Sequence, residues 1–422
     1  MKLNAVEICA GAGGQALGLH KAGFHHTLAV ELDQNASKTL KTNSDLKNSG
    51  FSLDEVKTGD VADPGIWKPH EYKGIDLLAG GVPCPPFTIA GKQLGANDER
   101  DLFAWTVEQV ATVEPRALLL ENVRGLSMPR FAGYRQHVLD RLTTLGYVAE
   151  WRLIHASDFN VPQLRPRFVL VALQEKYAGY FRWPKPLLNA PTVGESLKDL
   201  MGTRGWGQID DWVERANKIA PTIVGGSKKH GGADLGPTRA KRAWHELWVD
   251  AHGVANDVPG PKDEYSLDGR GPKLTNEMVA RLQGFPDEGK WIFEGPKTSK
   301  YRQIGNAFPP PVAEAVGKAI KNALGKKGEA VARKPVEHDP IYKVLKEVGD
   351  FVKVESLQTA GDKPLEISEV ELSISRLGKD FNIETFSDNG VTKYKLGSFK
   401  AFTGQDDHDR HAMFLKSRAK IS

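Results

Sequence analysis

The sequence predicts an α/β fold in which a parallel sheet is covered by helices on both faces. Short apolar runs such as TLAVEL, DLLAGGV and ALLLENV alternate with helix-like stretches such as LFAWTVEQVATV over the N-terminal part of the chain. A glycine loop, CAGAGG, directly follows the first apolar run and opens a helix-like stretch. Short buried strands that alternate with helices are typical of a doubly covered parallel sheet.

Changes in composition divide the chain into segments. Residues 1–174 are expected to form the first part of the main domain, and residues 273–325 to return to it, ending in a proline-led helix. Between them, residues 175–272 are rich in Gly, Pro and Trp and lack clear periodicity. Residues 326–336 look like a linker, and residues 337–422 form a C-terminal accessory segment.

The C-terminal segment contains an amphipathic stretch, ISEVELSISRLGKDF, followed by alternating residues around Asp-Asn-Gly, which is a hairpin signal. Helices followed by a hairpin resemble a winged-helix module. Such a module could contact DNA or a partner, and a packing appendage is the alternative.

Composition limits the possible classes of protein. There are 57 Lys and Arg against 53 Asp and Glu, and a net charge of +4 permits a nucleic-acid partner without requiring one. Two cysteines cannot build a disulfide framework or a zinc knuckle, which favours a reducing compartment. No signal-peptide core and no apolar run of ~20 residues is present, so we expect a soluble cytoplasmic protein that does not contact a membrane.

The glycine loop and two later carboxylates predict a nucleoside pocket. Gly11, Gly13 and Gly14 allow close approach of a ligand to a helix N-terminus. Glu31 and Asp60 stand at the ends of the next two predicted strands, where a carboxylate can accept hydrogen bonds from ribose. The spacing does not match the dinucleotide fingerprint. An ordinary strand–turn–helix is the alternative.

Cys84 lies in GGVPCPPFT, just past a predicted strand and between two prolines. A rigid loop at the edge of a sheet is a common place for a nucleophile. A structural cysteine normally has apolar neighbours. Cys9 fits that description better than Cys84.

Charged residues also follow or precede two other apolar runs. Glu121 and Asn122 end ALLLENV, where a helix cap is the alternative to a site. Gln163, Arg165 and Arg167 precede FVLVAL, and the two arginines would share one face of an extended chain. Solvated charge at a strand start is the alternative for them.

Taken together, these motifs resemble the DNA cytosine-5 methyltransferase family. The matching stretches are ICAGAGG, VELD, TGDV, GGVPCPPFTIAGKQLGANDERDLF, ENVRGL, QLRPRFV, LTNEMVARLQGFPD and YRQIGNAFPPPVAEAVG. They occur in the family's order, over about residues 3 to 322. Within the family, the chain resembles the bacterial or phage enzymes of restriction-modification systems.

The resemblance implies a Rossmann-like methyltransferase domain that binds S-adenosylmethionine, a smaller target-recognition domain and no metal. Glu31 would bind the ribose, Asp60 the adenine amino group, and Asn306 would lie near the methionine part. The full set of implied cofactor residues is Cys9, Gly11, Ala12, Gly13, Gly14, Glu31, Leu32, Asp60, Val61, Pro83, Asn306 and Ala307.

The resemblance also implies the chemistry. Cys84 would add as a thiolate to carbon 6 of cytosine, which activates carbon 5. Glu121 would contact ring nitrogen 3, and Arg165 and Arg167 would hold the base oxygen, Glu121 and a phosphate. The target cytosine must leave the duplex stack.

Three residues depart from the family pattern. Pro85 stands where glutamine is most frequent, Cys9 where phenylalanine often packs near the adenine, and Glu7 where aspartate often begins the first motif. None of these changes removes a catalytic group.

Double-stranded DNA is the implied partner, and the variable segment is expected to choose the sequence. A basic, glycine-rich stretch within it suits phosphate contact and major-groove recognition, although a solvated loop is the alternative. The predicted DNA-binding residues are Gln163, Lys228, Lys229, His230, Arg239, Lys241 and Arg242.

We expect a monomer in the bacterial cytoplasm, associated with the nucleoid, and a cognate restriction endonuclease that shares its site. Two alternatives are an RNA cytosine-5 methyltransferase and a non-catalytic DNA-binding relative. The tRNA-modifying branch of the family carries a Cys-Phe-Thr signature that is absent here, and a non-catalytic relative would be expected to lose Cys84, Glu121 or the cofactor carboxylate.

Overall fold

The computed structural model describes residues 3–46, 49–82, 102–225, 232–287, 290–333, 339–361, 363–388 and 391–399. Cys84 and most of its loop therefore lie outside the described residues.

The strands lie in two groups, one before residue 175 and one after residue 351. They are β1 (Leu3–Ile8), β2 (Phe24–Glu31), β3 (Val56–Thr58), β4 (Leu77–Gly80), β5 (Ala117–Val123), β6 (Tyr147–His155), β7 (Pro166–Gln174), β8 (Val352–Lys353), β9 (Phe381–Asp388) and β10 (Val391–Phe399).

Helices connect most of these strands, and several more fill the region between β7 and β8. They are α1 (Gly14–Ala22), α2 (Gln34–Asp45), α3 (Leu102–Val113), α4 (Ala132–Thr144), α5 (Glu175–Ala178), α6 (Val193–Met201), α7 (Ile209–Arg215), α8 (Thr238–Glu246), α9 (Asn276–Leu282), α10 (Lys297–Asn306), α11 (Pro310–Leu324), α12 (Pro340–Val348), α13 (Val354–Gln358) and α14 (Ile367–Asp380). Within the ranges described above, none combines the length and apolar character needed to cross a bilayer.

The first seven strands form one sheet in the order β3-β2-β1-β4-β5-β7-β6. The first five strands of that order run parallel, whereas β7 runs antiparallel to both β5 and β6. The prediction of a parallel sheet is therefore wrong for β7. Only residues 156–165 separate β6 from β7, and a connection that short cannot hold the crossover that parallel strands need.

The sheet is covered on both faces because successive residues of its buried strands point to opposite sides. Ala5 and Leu77 face α1 and α11, in a cluster that includes Leu19 and Val312. Val6 and Leu78 face the other side, where α3 and α4 pack.

Residues 175–272 form a region of short helices whose interior is built around tryptophan. Trp206, Trp212, Trp244 and Trp248 are each at most 2% exposed and belong to one apolar cluster. These large side chains supply the buried area that short helices cannot supply alone.

Residues 339–399 pack against α4. Their elements follow the order helix, strand, helix, helix, strand, strand, and β10 pairs antiparallel with both β8 and β9. The ring of Phe399 stacks on His137 of α4 at a centroid distance of 4.0 Å. Burial lowers the pKa of His137 to about 4, so this ring packs as a neutral group near pH 7.

Helices α1 and α11 approach closely at Gly18. A methyl group on Gly18 would contact the Pro310 carbonyl and lie 2.5 Å from Ala313 Cβ and 2.8 Å from the Glu314 nitrogen. Gly18→Ala must therefore push the two helices apart, and we expect it to lower the free energy of unfolding by ~1–3 kcal/mol.

Denaturant melts of Gly18→Ala and Gly207→Ala test this expectation. Gly207 is exposed, and a methyl group there meets no atom within 4 Å, so its variant is the matched control. Equal stability of the two variants would contradict the close approach.

Candidate active site

The glycine loop turns the chain sharply between β1 and α1. Cys9, Gly11 and Gly13 have φ values of 51°, 56° and 84°, in the left-handed region. A methyl group on Gly14 would contact the Phe308 carbonyl and lie 3.1 Å from Ala307 Cβ. The loop thus brings the N-terminus of α1 against the chain that leads into α11.

Glu31 joins the end of β2 to this loop. Its carboxylate accepts hydrogen bonds from the Gly11 and Asp33 backbone nitrogens, both at 2.7 Å. Burial raises the pKa of Glu31, and the two N–H donors oppose that rise. Asp60, just past β3, accepts a hydrogen bond from the Ala62 nitrogen at 2.9 Å. Both predicted carboxylates therefore lie at the same edge of the sheet.

A cavity of about 880 Å³ opens at this edge. Of the predicted cofactor residues, those that line it are Cys9, Gly11, Ala12, Gly14, Glu31, Leu32, Asp60, Val61, Asn306 and Ala307. Gly13 is not among them, and a methyl group on Gly13 would meet Leu40 and Trp291. Its contact with the cofactor stays a prediction. Pro83 lies outside the described residues.

Several lining residues were not predicted from sequence. Trp67 and Trp105 pack edge to face at 5.7 Å, and Glu7 and Gln15 lie on the floor of the cavity. No local spacing marks the two tryptophans. The only signal for Glu7 and Gln15 was that both flank the glycine loop.

Cys9 is not suited to be a nucleophile. Burial raises the pKa of its thiol, and the nearby carboxylates Glu31, Asp60 and Glu7 raise it further. A thiol in such surroundings stays protonated. Glu7, beside it, is fully buried and pairs with His26 at 2.9 Å.

Glu121 and Arg167 form a buried ion pair where β5 and β7 lie side by side. Arg167 Nε lies 2.6 Å from Glu121 Oε1, and Glu121 is 8% exposed. Burial raises the pKa of Glu121, and the charges of Arg167 and Arg165 oppose that rise. Glu121 also lines the cavity, so a carboxyl with a raised pKa faces its interior.

Asn122, the next residue, holds the chain that leads to Pro83. Its Nδ2 donates to the Val82 carbonyl at 3.2 Å, and its Oδ1 accepts from the Val123 nitrogen at 2.8 Å. The predicted helix-cap alternative does not apply to Asn122, because its side chain bonds to the chain just past β4 instead.

Arg165 does not point into the cleft beside Arg167. Its two terminal nitrogens donate to the Ile223 carbonyl at 2.8 Å and the Ala307 carbonyl at 2.7 Å, and it is fully buried. The expectation that Arg165 holds the base oxygen or a phosphate is therefore corrected. Arg165 precedes the first residue of β7, Pro166, so the alternation of a strand does not apply to it.

Gln163 is buried as well, and its predicted contact with DNA is wrong. It is 0% exposed, donates to the Leu282 carbonyl at 3.2 Å and to Gln283 Oε1 at 2.6 Å, and accepts from the Ile223 nitrogen at 2.8 Å. Its hydrogen bonds leave no face for a base.

The predicted DNA-binding arginines are carried by α8. Arg239 and Arg242, three residues apart on that helix, are both exposed. Lys241 is half-buried and forms an ion pair with Asp234 at 2.5 Å. Lys228, Lys229 and His230 lie outside the described residues. Across the described parts of the chain, no group of three or more His, Cys, Asp or Glu is placed to hold a metal ion.

Comparison with known proteins identifies the family. A model described as C-5 cytosine-specific DNA methylase matches residues 3–322. Type II methyltransferase M.NaeI of Lentzea aerocolonigenes is 65% identical over 421 residues, covering 100% of this chain and 99% of that protein. Type II methyltransferase M.NgoMIV of Neisseria gonorrhoeae is 46% identical over 331 residues, covering 77% of this chain and 99% of that protein.

The fold agrees with a solved structure of more distant sequence. A crystal structure of a mutant Spodoptera frugiperda DNMT2 matches with a TM-score of 0.51 and 18% identity, covering 76% of this chain and 100% of that one. That likeness supports the fold alone. The family model and the two relatives show that this chain belongs to the C-5 cytosine-specific DNA methylase family, and that it is an S-adenosylmethionine-dependent DNA cytosine-5 methyltransferase.

Proposed function

We propose that this chain methylates carbon 5 of a flipped cytosine within a short, specific site of duplex DNA, through a covalent adduct of Cys84. The observation that carries the proposal is the buried Glu121–Arg167 pair, whose Glu121 lines the same cavity as Glu31 and the glycine loop. A base pocket and a cofactor pocket would thus open into one another.

The residues around the cavity fit S-adenosylmethionine. Glu31 presents a carboxylate for ribose hydroxyls, and Trp105, backed by the buried Trp67, presents apolar surface for an adenine. A methyl group on Gly11 would meet no atom within 4 Å, so the space beside the loop that leads into α1 is open to a ligand. When bound, the cofactor supplies an electrophilic methyl group.

The side chains at the other end would act on the base. The Cys84 sulfur forms a bond to carbon 6, and the electron pair of the 5,6 double bond becomes available at carbon 5 for the new carbon–carbon bond. Glu121, with its raised pKa, gives a proton to ring nitrogen 3 as the adduct forms. A base then removes the proton from carbon 5, the Cys84 sulfur leaves as the double bond reforms, and the Glu121 carboxylate takes back the proton from ring nitrogen 3. Arg167 would orient the Glu121 carboxyl throughout.

We further propose the domain roles and the biological setting. Residues 175–272 would select the DNA sequence, with Arg239 and Arg242 of α8 on the DNA. The chain would act as a monomer on nucleoid DNA and protect it from a restriction endonuclease that recognises the same site, as the Type II names of its relatives suggest.

Residues 337–422 would form an accessory module outside the methylase proper. M.NgoMIV covers 77% of this chain with 99% of its own length, and the family model ends at residue 322. The order of elements and the pairing of β8, β10 and β9 support the comparison with a winged helix. Their packing on α4 supports a stabilising role.

Cys84→Ser should abolish methylation while S-adenosylmethionine still binds, because a hydroxyl is far less readily ionised than a thiol. Bisulfite sequencing of mixed-sequence duplex DNA after incubation with cofactor measures the product. The wild-type enzyme should protect cytosines in one short motif, and the variant none.

Duplexes that carry 5-fluorocytosine in the methylated motif add a second readout. Fluorine cannot leave as a proton does, so the wild-type enzyme should stay covalently attached, whereas Cys84→Ser should not. Methylation by the variant at the wild-type rate would remove Cys84 from the mechanism. Methylation of RNA but not DNA would favour the RNA alternative.

Arg167→Gln should raise the pKa of Glu121 further, because it removes the cation that opposes the effect of burial. Glu121 then stays protonated to higher pH, so the alkaline limb of the profile of kcat/KM against pH should move to higher pH. The maximal rate should fall by ~10²-fold or more as the carboxyl loses its orientation.

Arg167→Lys is the matched control for that profile, because it keeps the charge but not the Nε contact. Its alkaline limb should stay near that of the wild type while its rate falls. An alkaline limb that moves to lower pH in Arg167→Gln would contradict the assignment of Glu121 as the proton donor.

Arg239→Gln with Arg242→Gln should weaken DNA binding and reduce its salt dependence, by a slope of ~1 for each phosphate that the variant no longer neutralises. Fluorescence anisotropy over a range of salt concentrations measures both. Arg204→Gln is the control, since Arg204 lies in the same region but is paired with Asp257. Equal salt slopes in both variants would exclude α8 from the DNA interface.

A further inference from the structure

Gln15, the second residue of α1, has a buried side chain with no hydrogen-bond partner. It is 3% exposed, and both its Oε1 and its Nε2 are unpaired. Other buried glutamines here are bonded: Gln163 makes three hydrogen bonds, and Gln303 Oε1 accepts from Thr39 at 2.6 Å. Buried amides are almost always satisfied, so the partner of this one is a group that is not part of the chain.

The amide of Gln15 faces the cavity at the end that holds Glu121. Gly81 lies close to the amide of Gln15 and to the Glu121 carboxyl. A methyl group on Gly81 would lie 3.9 Å from Gln15 Oε1, 3.6 Å from Glu121 Oε2 and 3.8 Å from the Cys9 carbonyl oxygen. Gln15 therefore lies where the cofactor end of the cavity meets the base end. The first N–H groups of α1, which have no partners within the helix, lie beside it.

We propose that Gln15 binds the amino-acid end of S-adenosylmethionine and holds it in position. Its Nε2 would donate to the carboxylate of the methionine part, and its Oε1 would accept from the ammonium. This assignment rests on the proposed function, in which the adenosine part lies toward Glu31 and Asp60.

The chemistry of the groups favours this ligand over the base. An amide offers a donor and an acceptor together, which is what a zwitterion requires. The N-terminus of α1 favours the negative carboxylate at the same place. The base already has its own partners: the Glu121 carboxyl supplies an acceptor and a proton, and Arg167 supplies a cation.

Binding of two cofactor fragments tests the proposal without catalysis. S-adenosylhomocysteine carries the amino-acid end, whereas 5′-methylthioadenosine lacks it. Isothermal titration should give Gln15→Leu an affinity for S-adenosylhomocysteine ~10-fold or more below that of the wild type, since the variant cannot make the hydrogen bond to a charged group. The affinity for 5′-methylthioadenosine should not change. Gln15→Glu should bind more weakly still, because a second carboxylate repels the first.

The melting temperature separates this role from a structural one. Gln15→Leu removes two unpaired polar atoms from a buried site, so without ligand it should melt at or above the wild-type temperature. A structural glutamine would instead leave a less stable protein. Gln174→Leu is the matched control, since Gln174 ends β7 at the opposite edge of the sheet and bonds to the Glu114 and Pro115 carbonyls.

Each remaining outcome overturns a distinct claim. Unchanged S-adenosylhomocysteine affinity in Gln15→Leu, or an equal loss of affinity for both fragments, overturns the role of Gln15 alone. A wild-type protein that binds neither fragment overturns the proposed cofactor site itself, and the assignment of Gln15 with it.

Discussion

The hydrogen bonds of Gln163 and Arg165 join three stretches of chain that are far apart in sequence. Both side chains are fully buried, and between them they bond to the backbone at Ile223, Leu282 and Ala307. Burying a guanidinium costs free energy unless hydrogen bonds compensate for the lost water. Arg165 therefore holds the carbonyls to which it donates in place. The position of residues 175–272 relative to the sheet depends on this contact.

The same contact connects residues 175–272 to the cavity beside the glycine loop. Ala307, which Arg165 holds, lies next to Asn306 on the cavity wall. Gly225 and Gly305 meet so closely that a methyl group on Gly305 would lie 2.5 Å from the Gly225 Cα. Because packed interiors do not deform smoothly, a shift of the chain at Gly225 would displace Gly305 and its neighbour Asn306. Under the proposed function, the segment that selects the DNA and the cofactor cavity would share this contact.

Much of the fold and site could be predicted from sequence because their signals are local. The apolar runs that end in Glu31 and Glu121 predicted β2 and β5 correctly, and the glycine loop placed the cavity. The direction of β7 was missed because β6 was not among the predicted strands, and the short connection between β6 and β7 is the feature that requires an antiparallel pair. The predicted cleft positions of Gln163 and Arg165 were wrong because their partners, at 223, 283 and 307, are set by tertiary packing.

The location and charge state of some cavity residues also could not be predicted from the sequence. Trp67 and Trp105 come from a loop and from α3, and only the fold brings them together at 5.7 Å. The departure at Cys9 was visible in the motif, but the raised pKa that keeps its thiol protonated follows from burial and from the nearby carboxylates Glu31, Asp60 and Glu7. Motifs identify residues, whereas charge states depend on their neighbours in space.

The close packing of α1 against α11 has a consequence for biosynthesis. Strand β1 and helix α1 are made first, but α1 cannot bury its apolar face until α11 has been synthesised. The cavity likewise stays open on one side until residues 299–308 are in place. Contacts between such distant parts of a chain form late in folding. A nascent chain on the ribosome therefore has no finished pocket until the residues up to Leu324, the end of α11, have been made.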